Sequence, residues 1–89
     1  MTLAYNRLHA DGPPERTLSV VLLFFYSGDR EEPRHVHVER DANRAKLWLD
    51  PVRLAESSGF GRAEIRRVEA LVRDDANQLR RAWDEYFTE

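Results

Sequence analysis

The chain contains no cysteine. Disulfide bonds, thiolate nucleophiles and cysteine-based zinc sites are therefore excluded together. Lysine is almost absent too: Lys46 is the sole one among 14 basic residues, and no stretch carries a sustained run of positive charge. Against 16 acidic residues this leaves a formal charge of −2, which disfavours general affinity for nucleic acid. Long apolar runs are missing as well. The longest, Val20 to Tyr26, is far too short to cross a bilayer. No basic n-region or small-residue cleavage site precedes it, so the expectation is a cytoplasmic chain with no secretory signal and no membrane partner.

What is present reads as one small soluble domain. Of its 89 residues, 42% are hydrophobic and 34% charged, a balance that suits a folded globule rather than a disordered tail. A chain of this length buries roughly 60–65% of its unfolded surface, so association with a partner or a second copy would add useful stability. Residues 1–16 are an N-terminal segment of uncertain structure. Leu3 to Leu8 carries a weak strand signal, and Asp11 to Glu15 reads as a loop because Pro13 and Pro14 cannot donate to a ladder. Residues 17–89 form a single domain.

Leu18 to Ser27 is apolar at both parities, which reads as a strand covered on both sides at the centre of the core. "SGDREEPR" then reads as a turn, tightest at Gly28-Asp29. From His35 to Asp50 the pattern alternates strictly. Val36, Val38, Ala45, Leu47 and Leu49 share one face, and His35, His37, Glu39, Lys46, Trp48 and Asp50 share the other. Two alternating runs about a short polar break predict a β-hairpin. With Ala42-Asn43 as a two-residue loop, the cross-strand pairs become Glu39–Lys46, His37–Trp48 and His35–Asp50, each chemically sensible. A longer loop with a shifted register is the alternative. Residues 51–61 admit a short helix started by Asp50-Pro51 or a turn into a further strand.

Arg62 to Phe87 carries apolar residues at spacings of three and four, which predicts one long helix, bent if anywhere at Asp74 to Asn77. Arg62, Arg66, Arg73 and Arg80 lie along one side of it, interleaved with acidic residues, as a solvated ion-paired face does. The fold class is thus α+β: a largely antiparallel sheet of three to four strands packed by one long C-terminal helix. Leu22, Phe24, Val36, Val38, Leu47, Leu49, Ile65, Val68, Val72, Leu79 and Trp83 are the expected core.

The segments "FFYSGD", "PRHVHV", "AKLWLDPVRLA" followed by "GF", "EIRRVEALV" and "LRRAWDEYF" resemble, in order and spacing, the bacterial domain-of-unknown-function family numbered 4160. The likeness runs from about Leu18 to Phe87. Pro33-Arg34 stands where many relatives carry Pro-Pro, Ala42-Asn43 where Gly often fills the loop, and Gly61 where a Ser cap is usual. The resemblance implies a cytoplasmic α+β domain, one half of a toxin–antitoxin-like two-gene module. Its implied partner is a small protein of the unknown-function family numbered 2442. It implies no established reaction.

The hairpin's polar face is where chemistry could reside. Side chains two apart on a strand share a face about 6.5–7 Å apart, so His35 and His37 could converge on one ion, joined by Asp50 in the register above. Ordinary outward polar residues explain the same pattern, and no cofactor is expected, a divalent metal being the lesser reading. His35, His37 and Lys46 could form an acid–base set beside Trp48 as a stacking platform. No serine sits in a nucleophile elbow. The leading expectation is a non-enzymatic interaction module binding through His35, His37, Trp48 and Asp50. The rival is a small nuclease or metal-dependent hydrolase on the same face.

Overall fold

The computed structural model describes residues 2–9 and 19–88, with side chains from residue 22 onward. Five strands follow one another in an antiparallel meander, in the spatial order β1-β2-β3-β4-β5. They are β1 (Thr2–His9), β2 (Ser19–Tyr26), β3 (His35–Arg40), β4 (Asn43–Leu49) and β5 (Val52–Ser58). A 3-10 turn (Ser27–Glu31) joins β2 to β3, and two helices follow, α1 (Arg62–Asp74) and α2 (Ala76–Tyr86). The α+β class is as expected. Four strands belong to the domain read from residue 17, and β1 adds a fifth along β2. The loop expected at Asp11 to Glu15 lies outside the described residues.

Alternation selects the core. Val36, Val38, Ala45, Leu47 and Leu49 turn one face of β3 and β4 towards the helices, where Val68, Leu71, Val72, Leu79 and Trp83 meet them. Strand β2 contributes Leu23 and Phe25, not the expected Leu22 and Phe24, which are only half-buried. Both parities of this strand are apolar, so its inward face follows from pairing: Leu23 stands opposite Val38 and takes its side of the sheet. The strand is therefore not covered on both sides as expected. Tyr26, at its end, is 46% exposed.

The hairpin forms, in a different register. Asp41 adopts a φ of 55°, a left-handed conformation that Asp tolerates better than most residues. The two-residue loop is thus Asp41-Ala42, and Glu39 faces Arg44, His37 faces Lys46 and His35 faces Trp48. Glu39 and Arg44 form the ion pair this register allows, at 3.1 Å. After β4, Asp50-Pro51 (a cis peptide) turns the chain into β5, resolving residues 51–61 in favour of a further strand. At the end of β5, Gly59 has a φ of 93°, and a Cβ there would lie 2.4 Å from the Asn43 side chain. That close approach requires glycine.

The helical region is split rather than continuous. Asp75 leaves helical geometry with φ −100° and ψ 7°, closing α1 and starting α2. Aspartate competes locally for backbone hydrogen bonds, which makes Asp74-Asp75 a natural break. Glu64 reaches back to the Gly61 N–H at 3.4 Å, so the first turn of α1 is held from one side only. Arg80 also departs from expectation. Its Nε and Nη2 donate to the Leu49 carbonyl at 3.0 and 2.6 Å, and its Nε lies 2.6 Å from Asp50, latching α2 onto the end of β4. Among the described residues, no helix is long and apolar enough to cross a membrane.

Candidate functional site

The 3-10 turn folds back beneath the start of β3 and delivers Asp29 to both histidines. One carboxylate oxygen, Asp29 Oδ2, accepts the Tyr26 backbone N–H at 2.8 Å and the His37 Nε2–H at 3.0 Å. His35 Nε2 stands 3.2 Å from the same oxygen. Three chain segments thus converge on one atom, and Asp29 and His35 are both buried.

Burial alone would raise the Asp29 carboxyl, but the Tyr26 N–H bond and the two histidines outweigh it and hold it below the usual carboxylate range. His37 moves down from the ordinary imidazole range, because burial disfavours its cation more than Asp29 favours it. A neutral His37 donating one N–H to an ionised Asp29 satisfies both directions. His35 Nδ1 lies 2.9 Å from the Pro33 carbonyl oxygen. That oxygen can only accept, so Nδ1 carries the ring proton.

Aromatic rings enclose the cluster. His35 packs edge-on against Trp48 and His37 and lies 5.1 Å from the Trp83 ring. His37 stacks on Phe24 at 5.5 Å and meets the Tyr26 edge at 4.8 Å. Beside them runs a groove of about 280 Å³ on the sheet, lined by Phe24, Tyr26, His37, Lys46 and the Glu56–Ser58 end of β5 among others. Lys46 places its ammonium 2.6 Å from Glu32 and 4.8 Å from the Trp48 ring centre. Trp48 is half-buried and lines a neighbouring cleft with Pro33, Arg34, Asp50, Pro51 and Arg53.

The expected residues are only partly brought together. His35 and His37 do converge, with Lys46 opposite His37 and Trp48 opposite His35. Asp50 does not join them. It pairs with Arg80 and, at 3.8 Å, with Arg34, because the Asp41-Ala42 turn puts Trp48 where the expected register put Asp50. Its place beside the histidines is taken by Asp29. The signal was present in "FFYSGD", but no periodicity relates a turn residue to the strand beneath it. Asp29, His35 and His37 bring metal-binding donor atoms within 4.8 Å of one another. An aspartate with two imidazoles can bind a transition-metal ion, or orient and polarise a histidine for proton transfer.

The profile of the DUF4160 family, a domain of unknown function, matches residues 21–84. The chain belongs to that family. The match begins within β2 and ends near the close of α2, so it takes in the 3-10 turn, the hairpin and every residue of the cluster. No curated protein and no solved structure matches the chain.

Proposed function

We propose that this protein is the interaction component of a toxin–antitoxin-like pair, binding its cognate small protein through the helix-free face of the sheet. The observation that supports this reading is Tyr26. Among the described residues it is the only large apolar side chain left exposed, and it stands at the groove beside Phe24 and His37. Half-buried Trp48 lies across the same face, past Lys46. Two aromatic anchors flanking polar groups form the pattern in which a few residues carry most of an interface's energy. The partner is a small acidic protein of the 2442 type, encoded beside this one. In a titration of the two purified proteins, Tyr26→Ala and Trp48→Ala should each weaken binding by about 2 kcal/mol or more, roughly thirtyfold. Exposed Arg73→Ala on α1 should leave it unchanged. Affinity indifferent to both aromatic substitutions would end this reading.

A nuclease or hydrolase is supported by the Asp29–His37 pair, an oriented imidazole at the edge of a groove. His35 is fully enclosed, whereas His37 and Lys46 both line that groove, Lys46 paired with Glu32. Phosphodiester turnover lost in His37→Ala would favour it over the interaction reading.

A further inference from the structure

We propose that Asp29, His35 and His37 form a binding site for a first-row divalent transition ion of the zinc class. The argument starts from an atom without a role. His35 is completely buried, and its Nε2 has no hydrogen-bond partner, a costly state for a polar atom in an enclosed site. The nearest group is the Asp29 carboxylate, 3.2 Å away. With Nδ1–H committed to the Pro33 carbonyl, Nε2 is the ring position left facing the negatively charged Asp29 oxygen. Two electron-rich atoms facing each other need a positive charge between them.

A proton would meet that need only with an aligned N–H···O bond, which the contact does not provide. A metal ion has no such requirement, since it sits off the line between its donors. In a tetrahedral site with bonds of about 2.0–2.1 Å, neighbouring donor atoms stand about 3.3–3.4 Å apart. The Asp29 oxygen lies 3.2 Å from His35 Nε2 and 3.0 Å from His37 Nε2. The histidine donor atoms stand within 4.8 Å of each other, so the His37 ring must swing inward by about 1–1.5 Å to complete a tetrahedral set. On binding, the ion replaces the His37 Nε2 proton, which passes to the ring's Nδ1, and the ligand set becomes two neutral imidazoles and one carboxylate.

The surroundings resemble those of a metal site rather than of a surface cluster. The Nδ1–H bond to the Pro33 carbonyl fixes the tautomer and orientation of His35, the support that ligating histidines characteristically have. The Tyr26 N–H does the same for the carboxylate. His37 is 20% and Asp29 12% exposed in their side chains, so an ion has a route in from the groove side. Two nitrogens and one oxygen select zinc, cobalt or nickel over magnesium and calcium, which take all-oxygen sites. Three protein donors leave a fourth position for water or a partner's side chain. This inference stands apart from the interaction reading, since either can fail without the other.

The test uses the purified full chain, stripped with chelator and titrated with Zn²⁺ and Co²⁺, with Mg²⁺ as the control. One equivalent of Zn²⁺ should bind saturably, with a rise in melting temperature and a Co²⁺ absorption band in the visible. His37→Ala and Asp29→Asn should each weaken Zn²⁺ at least about a hundredfold, while Glu32→Gln, just outside the donor set, retains it. Should those variants fail to fold, ¹⁵N spectra of the unaltered chain decide: Zn²⁺ must shift the ring nitrogens of both His35 and His37. Zn²⁺ that leaves these resonances in place, or binds the variants as tightly as the parent, overturns the proposal. So does a Mg²⁺ response equal to that of Zn²⁺.

Discussion

Replacing Asp29 by alanine removes the one atom on which the 3-10 turn and β3 both depend. Its Oδ2 accepts a backbone N–H at 2.8 Å and an imidazole N–H at 3.0 Å. Hydrogen bonds to a charged group contribute about 1.5–3 kcal/mol each, and a buried donor left without an acceptor costs about 1–3 kcal/mol. The two bonds share one oxygen and His37 can recover some water, so the losses do not simply add. The expected destabilisation is about 2–4 kcal/mol for Asp29→Ala. For Asp29→Asn, which keeps an acceptor but not the charge, about 1–2 kcal/mol is expected. A domain of this size has a total stability of about 4–13 kcal/mol, so the alanine variant loses a measurable share of it. With an unfolding entropy of about 2 cal/mol/K per residue, a loss of 3 kcal/mol lowers the melting temperature by about 16 °C. Urea melts in the presence of chelator give the free energies directly, and an unchanged m-value certifies a common unfolding transition. Glu32→Ala is the control, since Glu32 pairs with Lys46 at the surface. If Asp29→Ala melts with Glu32→Ala and the parent, Asp29 does not hold this region together and the reasoning fails.

Three further outcomes are expected. Leu47 is fully buried, so Leu47→Ala should cost about 2–5 kcal/mol in the same melts, whereas half-buried Trp48→Ala should cost far less. Equal losses would make Trp48 a core residue. Stability should fall in acid in two stages, because the folded state holds both groups below their ordinary values. Burial disfavours the His37 cation most, Asp29 across the cluster favours it, and nearby Lys46 disfavours it. The unfolded chain therefore takes up a proton at His37 as pH drops below about 6.5, before the folded chain does, and at Asp29 below about 3.8. Stability is full above the first value and is lost as pH falls; melts from pH 8 to 2 with chelator should show both stages, with the upper stage absent in His37→Gln. Gly59→Ala should destabilise by about 1–3 kcal/mol, since it combines a positive φ with a clash on Asn43. Gly28→Ala, where a Cβ meets nothing within 4 Å, should be near neutral by the same measurement.

The sequence by itself determined those features that repeat with a period. Strict alternation through "HVHVER" and "RAKLWLD" identified the hairpin and its inner face, and Val36, Val38, Leu47 and Leu49 are all buried where it put them. The stripe at spacings of three and four did the same for Val68, Val72, Leu79 and Trp83. Register was beyond its reach for a simple reason. Sliding one strand by two residues returns every side chain to the face it had, so the apolar pattern cannot distinguish Glu39 facing Lys46 from Glu39 facing Arg44. The backbone of Asp41 in the left-handed region decided that, and with it the separation of Asp50 from the histidines. Strand β2, apolar at both parities, likewise took its inward face from its neighbour rather than from its own composition. The break at Asp75 falls within Asp74 to Asn77, where the polar residues placed any bend, but the apolar stripe runs on through it and so could not distinguish a bent helix from two. Asp29 is the clearest case. It belongs to a turn, where no period operates, and only the folding of that turn onto β3 brings its carboxylate against two imidazoles.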